Sequence, residues 1–392
     1  MQASATQSST ERRFDDISLA ELRQRHSYKW RAYPDDVLPA FVAETDFRPA
    51  PAVVRALTAA AELGDTGYAF ALPELGEAYS HFARSRFGWT VEPADVSLSP
   101  DVMSAITELL RMALKPGDGV VINPPVYPPF FRQVVEAGCQ VVESPLRRDE
   151  RGYHLDLNGL EEAFRAGARA LLLCSPHNPT GLVYSRAELE QVAELAERYG
   201  ALVFSDEIHA PLVLPGHDFT PYLVAGPRAA GCGIAFVAAS KGWNLPGLKC
   251  AQIVTQSAEM RALVDQLPSS FGVHAGLFGI LAAIAAYRDG GPWLDQVLGA
   301  VQKNVDFLAE AVRTRFPQVG YAPPQATYLA WLDCRELNLP GEPVDHFLKR
   351  GRVALGGGPP YGSAGRGHVR VNLGTTAEVV EQVVERMERA LS

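Results

Sequence analysis

The chain has 392 residues, 47% of them hydrophobic and 21% charged, which is ordinary for a globular protein and suggests a large domain with a smaller partner. A formal net charge of −9 excludes a general attraction to nucleic acid or anionic membrane, and no stretch is long and apolar enough for a transmembrane helix. Five scattered cysteines without a C-x-x-C pair, and a polar tail over residues 1–13 without a signal-peptide core, indicate a cytoplasmic protein.

The first third of the chain mixes helical and extended patterns. Residues 14–47 combine short helical pieces with an extended run over residues 37–43. Apolar spacing predicts helices over residues 53–63, 73–87 and 102–114, a strand that ends at residues 96–101, and a strand over residues 119–122.

The middle of the chain has the clearest α/β pattern. Residues 170–174 are a continuous apolar run, as expected of a strand that is buried on both faces. Ser185 and Glu188 form a capping-box pattern at the start of a helix that Gly200 ends, and residues 201–205 form the next buried strand. A strand–helix–strand unit of this kind requires a right-handed crossover and a parallel pair of strands.

The end of the chain predicts a smaller α+β domain. The last third begins with a strand at residues 251–255 and helices at 273–287 and 293–312. From about residue 316 it changes to short strands at 328–332 and 369–372, with helices at 343–350 and 377–391. The glycines at residues 356–358 are interpreted as a connecting loop. We expect residues 291–392 to form the small domain, which residues 1–48 join, and residues 49–290 to form the large domain.

Lys241 is the residue around which the chemistry is organised. The apolar residues 234–239 predict a buried strand that delivers Lys241 to its carboxyl end, the edge at which open α/β sheets bind ligands. A lysine among apolar neighbours tends towards its neutral, nucleophilic form, which suits Schiff-base chemistry with pyridoxal 5′-phosphate (PLP). A plain surface lysine at a strand end is the alternative interpretation.

Two further polar residues follow neighbouring strands, so that parallel pairing brings three strand ends to one edge. Asp206 would hold the pyridine nitrogen of PLP protonated, and the Asn178 amide, with His209, would bond its phenolic oxygen. Taken singly, these residues could equally be a helix cap, a turn residue and a satisfied loop histidine.

The remaining parts of a cofactor site are also present. The turn before the helix at residue 102 offers the backbone N–H groups of Val102 and Met103 to a phosphate, and Tyr127 is placed to stack on a ring face. Packing among prolines is the alternative for Tyr127.

Several segments in the right order carry a family resemblance. They include Pro-His-Asn-Pro-Thr-Gly at residues 176–181 and Ser-Asp-Glu-Ile-His at 205–209, together with residues 36–47, 125–130, 240–248, 286–290 and 370–374. From about Phe14 to its C-terminus the chain resembles fold-type I PLP-dependent enzymes of the class I/II aminotransferase superfamily. Within it, the chain is similar to the MalY/PatB-like carbon–sulfur lyases (cystathionine β-lyases).

The resemblance implies an α/β fold with a mostly parallel central sheet flanked by helices, and a homodimer with shared active sites. It also implies roles by position. Lys241 is the Schiff-base lysine and proton shuttle, Asp206 binds the pyridine nitrogen of PLP, Asn178 binds its phenolic oxygen, and Tyr127 stacks on its ring. Arg370 binds the substrate carboxylate, and Tyr68 reaches the cofactor phosphate of the neighbouring subunit. Ser240 and Lys249 complete the expected cofactor-binding set.

The sequence departs from the family pattern near the site. Phe41 stands where tryptophan is usual, and Ala43-Glu44-Thr45-Asp46 replaces Ala-Asp-Met-Asp. Gly67 replaces a second tyrosine, Ala238 a small hydroxyl residue, and Lys249 the arginine that aminotransferases use. These changes affect substrate range and the hold on the cofactor.

The resemblance therefore predicts PLP-dependent β-elimination of an L-cysteine S-conjugate to a thiol, pyruvate and ammonia. An aminotransferase is the alternative, because the residue spacing does not separate the two reactions. A non-catalytic regulator that binds DNA or a protein is a third hypothesis, which the acidic charge and the short N-terminal tail disfavour.

Overall fold

The computed structural model describes residues 13–70, 72–149 and 152–392. The polar tail expected at the N-terminus lies outside these ranges except for Arg13. Among the described helices, none is long and apolar enough to cross a bilayer.

Fifteen strands are found in the described ranges. They are β1 (Leu38–Pro39), β2 (Val96–Ser99), β3 (Gly119–Ile122), β4 (Gln140–Glu143), β5 (Arg147–Asp149), β6 (Gly152–His154), β7 (Ala170–Cys174), β8 (Leu202–Asp206), β9 (Gly233–Val237), β10 (Ala251–Val254), β11 (Gly320–Tyr321), β12 (Leu329–Asp333), β13 (Val353–Ala354), β14 (Gly356–Gly357) and β15 (His368–Asn372).

The α-helices of the same ranges vary from one turn to seven turns in length. They are α1 (Leu19–Leu22), α2 (Tyr28–Arg31), α3 (Pro51–Leu63), α4 (Pro73–Phe87), α5 (Val102–Ala113), α6 (Pro129–Glu136), α7 (Leu157–Arg165), α8 (Arg186–Tyr199), α9 (Pro227–Cys232), α10 (Ala239–Gly242), α11 (Ala258–Val264), α12 (Ser270–Val273), α13 (Leu277–Asp289), α14 (Gly291–Arg315), α15 (Pro343–His346) and α16 (Ala377–Leu391).

A seven-stranded sheet in the order β2-β10-β9-β8-β7-β3-β4 is the larger of the two main sheets. The pairs from β9 to β4 are parallel, and β10 runs antiparallel to both of its neighbours. The α/β interpretation with a mostly parallel sheet is confirmed.

Both faces of this sheet are covered by apolar side chains, which explains why its strands are continuous hydrophobic runs. In β7, Leu171 and Leu173 belong to one buried cluster, whereas Ala170 and Leu172 belong to the other. Helix α8 packs on the first face through residues such as Leu189, and α5 and α6 pack on the second. The sheet therefore holds its strand ends rigidly.

The second main sheet, β11-β12-β15-β14, is antiparallel and is formed by residues 320–372. Strand β1 pairs in parallel with β13, so the N-terminal segment joins this part of the chain. The predicted boundary near residue 290 falls between the two sheets, and the division into domains stays a prediction.

Four details differ from the sequence-based expectations. The glycines predicted as a loop form β14, and Ala239, predicted in a strand, begins α10 instead. Hydrophobicity alone does not separate a buried strand from a buried helical turn. The helix expected from residue 273 begins only at Leu277, as α13, because α12 ends at Val273; at Gly276, the N-cap of α13, a Cβ would meet the Leu248 carbonyl oxygen at 2.4 Å. Beyond α15, Phe347–Gly351 is a π-helical turn.

Candidate active site

A cavity of about 990 Å³ lies at the carboxyl ends of the central parallel strands. Ten of the predicted site residues line it: Val102, Met103, Tyr127, Asn178, Asp206, His209, Ser240, Lys241, Lys249 and Arg370. The strand register explains the convergence, because Cys174 of β7 pairs with Asp206 of β8, and Asp206 pairs with Phe236 of β9.

Tyr68 is the predicted residue that does not line the cavity. It is 94% exposed in the single chain. Its expected contact is with a second subunit, so its role stays a prediction.

Lys241 lies in the single turn of α10, directly after β9. Its Nζ donates a hydrogen bond to the Ala43 carbonyl oxygen at 2.8 Å. Burial, together with the charge of Arg370, lowers the pKa of the Lys241 amine to about 8, against the opposing effects of Glu44 and Asp206. A larger fraction of this amine is therefore neutral at physiological pH than of an ordinary lysine.

Asp206 ends β8 and is buried, with the backbone N–H of Ile208 donating to Oδ1 at 3.1 Å. Burial raises the pKa of this carboxyl to about 7, although the Ile208 hydrogen bond and the charge of Lys241 both act to lower it. A bound cation or protonated ring nitrogen at this carboxylate would favour its charged form.

Arg370 connects the two main sheets. From β15 its Nη1 donates to Oδ1 of Asn178 at 3.0 Å, and its Nη2 donates to the Phe41 carbonyl oxygen at 2.7 Å. The guanidinium also lies 5.5 Å from the centroid of the Tyr361 ring, and its buried Nε has no hydrogen-bond partner among the described residues. Opposite Arg370, Gly356 of β14 leaves no side chain to compete for space, since a Cβ there would approach the Arg370 Cβ to 3.2 Å.

His209 is buried, and within the described part of the chain its Nδ1 has no hydrogen-bond partner. Burial holds the pKa of its ring well below the ordinary value, and the positive charges of Lys241 and Arg370 add to this effect. The ring is therefore neutral and leaves a polar atom available to a ligand.

The start of α5 forms another part of the cavity lining. Asp101 caps this helix, and its Oδ1 accepts from the Ser104 backbone N–H at 2.8 Å. Lys249, which is exposed, lies 3.3 Å from the other oxygen of Asp101. Backbone N–H groups at a helix start, next to a lysine, are typical of an anion site.

Tyr127 is half-buried beside the cavity. Burial and the nearby Asp206 raise the pKa of its phenol to about 12, so the ring is neutral.

The sequence analysis did not identify the network around residues 41–46. The side chain of Asn372 donates to the carbonyl oxygens of Val42 and Glu44 at 2.5 and 2.6 Å. The Tyr328 hydroxyl donates at 3.0 Å to the Ala43 carbonyl oxygen that also accepts from Lys241.

Residues 41–46 also bind the part of the chain that forms the seven-stranded sheet. Asn244 accepts from the Thr45 N–H at 3.0 Å and donates to the Thr45 carbonyl oxygen at 2.9 Å. A buried ion pair between Lys29 and Asp46, at 2.6 Å, fixes the end of the segment, and Trp30 donates to the same carboxylate at 3.0 Å. The polar residue types alone gave no signal for these contacts.

The comparisons with known proteins agree with this fold. The family described as aminotransferase class I and II matches residues 39–387. A protein of Mycobacterium leprae, provisionally named a cystathionine beta-lyase, is 43% identical over 400 residues, which cover 96% of this chain and 98% of that one. Cystathionine beta-lyase PatB of Bacillus subtilis is 34% identical, over 91% of this chain and 93% of that one.

A solved structure also resembles this chain over nearly its whole length. The crystal structure of a provisionally assigned PLP-dependent beta-cystathionase from Corynebacterium diphtheriae superposes with a TM-score of 0.92, at 35% identity over 96% of this chain and 99% of that one. The match extends over both sheets and the cavity between them, and the chain therefore belongs to the aminotransferase class I and II family.

Proposed function

We propose that the protein is a PLP-dependent carbon–sulfur lyase that eliminates a thiol from L-cysteine S-conjugates. The observation that carries the proposal is the meeting of Lys241, Asp206 and Arg370 in one cavity, with an amine, a carboxyl and a guanidinium drawn from distant parts of the chain. The names of the relatives from Mycobacterium leprae and Bacillus subtilis support the lyase over other reactions of the family.

The cavity's polar groups suit PLP. Asp206 would bind the pyridine N–H, the start of α5 would receive the phosphate together with Ser240 and Lys249, and Tyr127 would lie on the ring. The unpartnered Nδ1 of buried His209 supports a polar ligand at this position, because buried polar atoms normally have a partner. When bound, PLP supplies an electron-withdrawing ring that stabilises negative charge at the substrate Cα.

Arg370 would bind the substrate carboxylate. Its planar guanidinium is already oriented by Asn178 and the Phe41 carbonyl oxygen, and its Nε has no partner in the part of the chain that the structure describes. A carboxylate accepts two parallel hydrogen bonds from such a fork, which fixes the amino acid with one orientation at Cα.

Lys241 would remove the Cα proton. A pKa of about 8 leaves part of the amine neutral near neutral pH, as a general base requires. Loss of this proton and breakage of the Cβ–S bond release the thiolate, which takes a proton and leaves as a thiol. Water then hydrolyses the released enamine to pyruvate and ammonia, so the overall reaction consumes one water.

We also infer a homodimer. Tyr68 and Phe70 are 94% and 76% exposed and follow α3, whose Leu63 is 80% exposed. An exposed apolar surface of this kind is typical of an interaction site, and a second copy is the occupant that the expected role of Tyr68 requires. A cytoplasmic location remains an inference, supported by the five buried and unpaired cysteines.

The deciding experiment incubates the purified protein with S-alkyl cysteines and L-cystathionine without a keto acid. The lyase releases pyruvate and thiol in equal amounts over many turnovers. An aminotransferase, the competing activity of the family, stops after one turnover and resumes only when a keto acid is added. Amino transfer without thiol release from any conjugate would overturn the proposal.

A further inference from the structure

Three aromatic side chains meet at the mouth of the cavity. The Phe41 ring is contacted edge-on by Tyr28, at 5.6 Å between centroids, and by Tyr33, at 5.3 Å. Phe41 and Tyr28 line the cavity, and Tyr33 supports Phe41 from outside it. We call Tyr28, Tyr33 and Phe41 the aromatic rim.

The aromatic rim lies next to the group that would bind the substrate carboxylate. The Phe41 carbonyl oxygen accepts a hydrogen bond from Arg370 at 2.7 Å, and the following Val42 also lines the cavity. Asn372 fixes the Val42 carbonyl oxygen, so the backbone that carries Phe41 is held in place. A substrate on Arg370 would therefore have this rim within reach of its side chain.

The carboxylates that line the cavity are otherwise engaged. Among the described residues, the lining carboxylates are Asp101, which pairs with Lys249 and caps α5, and Asp206 at the end of β8. Glu44 is near enough to raise the Lys241 pKa but does not line the cavity. Within the described lining, a distal ammonium group on the substrate would thus find no free carboxylate, and the exposed aromatic faces would attract it only weakly.

Tyr28 adds a further indication of a ligand at the rim. Its side chain is 69% exposed although it lies against Phe41, on a helix of only four residues. An exposed aromatic at a cavity mouth gains buried area when an apolar group is bound against it.

We propose that the aromatic rim selects L-cysteine conjugates with an aromatic or bulky apolar S-substituent, in preference to L-cystathionine with its charged distal end. This inference rests on the proposed lyase function and names the substrate class of the same site. Phe41 and Tyr28 are its specificity-determining residues, and Tyr33 is a positioning residue that acts through Phe41.

The experiment compares kcat/KM for S-benzyl-L-cysteine, S-methyl-L-cysteine, S-carboxymethyl-L-cysteine and L-cystathionine, with the holoenzyme and pyruvate release as the readout. The wild type should prefer S-benzyl-L-cysteine by about 10-fold or more over each of the others, a ratio within reach of an apolar pocket. The carboxymethyl conjugate tests Arg132, which also lines the cavity and would favour an anionic substituent.

Variants then show which side chains cause the preference for S-benzyl-L-cysteine. Phe41→Ala and Tyr28→Ala should each reduce the ratio of S-benzyl to S-methyl turnover several-fold, Tyr33→Ala should reduce it less, and Phe41→Trp should retain it. Val135→Ala removes an exposed apolar side chain outside the cavity and should keep the wild-type ratio.

The outcomes separate this inference from the proposed function. Equal or better turnover of cystathionine or the carboxymethyl conjugate, or an unchanged ratio in Phe41→Ala, overturns the role of the rim while leaving the lyase intact. Failure of every conjugate to release pyruvate overturns the lyase itself. Because the readout is a ratio between substrates, a general loss of folded enzyme does not alter it.

Discussion

The guanidinium of Arg370 and the amide of Asn178 are 192 positions apart in the chain and lie 3.0 Å apart in the cavity. Arg370 belongs to the four-stranded sheet, whereas Asn178 follows β7 of the seven-stranded sheet. Their hydrogen bond therefore couples the expected substrate-binding side of the site to the expected cofactor-binding side.

The first prediction concerns this arginine. Arg370→Lys keeps the charge but loses the planar fork, so kcat/KM with any S-conjugate should fall by at least about 30-fold, chiefly through KM. Steady-state kinetics measure the effect. Arg352→Lys is the matched control, because Arg352 makes a similar forked pair with Asp36 at the exposed surface. Equal effects of the two substitutions would contradict the role of Arg370.

The second prediction concerns Lys241. Borohydride reduction of the PLP-loaded protein should fix the cofactor on the peptide that contains Lys241, as mass spectrometry would show. Because burial lowers the pKa of this amine to about 8 from its ordinary 10.5, the rate of cofactor attachment to the cofactor-free protein should rise with pH, reach half of its maximum near pH 8 and level off above about pH 9.

Lys303→Arg, at an exposed position, should leave both results unchanged. Labelling of another lysine, or a rate that continues to rise to pH 10, would show that the Lys241 amine is not the reactive group.

Residue patterns predicted those parts of the fold that depend on local burial. The strands at residues 119–122 and 170–174 and the helix at 377–391 have the predicted bounds, because a doubly buried strand and an amphipathic helix leave clear apolar patterns. Strand β14 consists of two glycines and carries no such pattern. Its position is determined by pairing with β15, a contact between distant segments.

The candidate active site likewise has a part that the sequence predicted and a part that it did not. Asn178, Asp206 and Lys241 were predictable because each follows a recognisable strand, and parallel strands bring their ends together. The hydrogen bonds of Asn372, Tyr328 and Asn244 to residues 41–46 were not, because they form only when three separate parts of the chain dock. Nothing within a short window of sequence encodes such contacts.

The third prediction concerns Glu207, which neighbours Asp206 and is buried. Its Oε1 accepts from the Ser205 hydroxyl and the Tyr222 N–H, and no described residue bonds its Oε2. Burial raises the pKa of this carboxyl to about 8 from 4.5. Below pH 4.5 both the folded and unfolded states bind the proton; above it the unfolded state loses the proton first, so stability falls as pH rises towards 8.

Glu207→Gln keeps the Oε1 acceptor without a titrating group. Between pH 5 and 8, the free energy of unfolding of the wild type should fall by roughly 2–4 kcal/mol more than that of the variant. Denaturant unfolding at several pH values provides the measurement. Glu336→Gln, at an exposed position, should follow the wild type. The same pH dependence in Glu207→Gln and the wild type would exclude the carboxyl as its source.

The fourth prediction concerns the dimer. If Tyr68 reaches the neighbouring subunit's site, Tyr68→Ala and Lys241→Ala chains should each form weakly active or inactive dimers, but their hybrid contains one site with both native residues. Random 1:1 mixing after subunit exchange should then restore about a quarter of the wild-type activity per chain. Sedimentation verifies the dimer. A fully active monomer, or no recovery in verified hybrids, would disprove the shared site.

The last prediction concerns the ion pair of Lys29 and Asp46, whose side chains are both 1% exposed. Asp46→Ala leaves the Lys29 ammonium buried and takes the acceptor from Trp30, so the free energy of unfolding should fall by about 3–5 kcal/mol. Lys29→Met combined with Asp46→Leu should recover much of this loss, since an apolar pair of similar volume avoids the desolvation of two charges.

The double variant Lys29→Met and Asp46→Leu should not recover activity to the extent that it recovers stability. Residues 41–46 carry the Ala43 carbonyl oxygen that accepts from Lys241, and Asp46 anchors their end. The double variant should therefore remain less active than the wild type even where its unfolding free energy is restored. Denaturant unfolding and pyruvate-release kinetics on the same preparations separate the two effects. Full recovery of kcat/KM together with stability would mean that the ion pair serves folding alone and does not position the segment for catalysis.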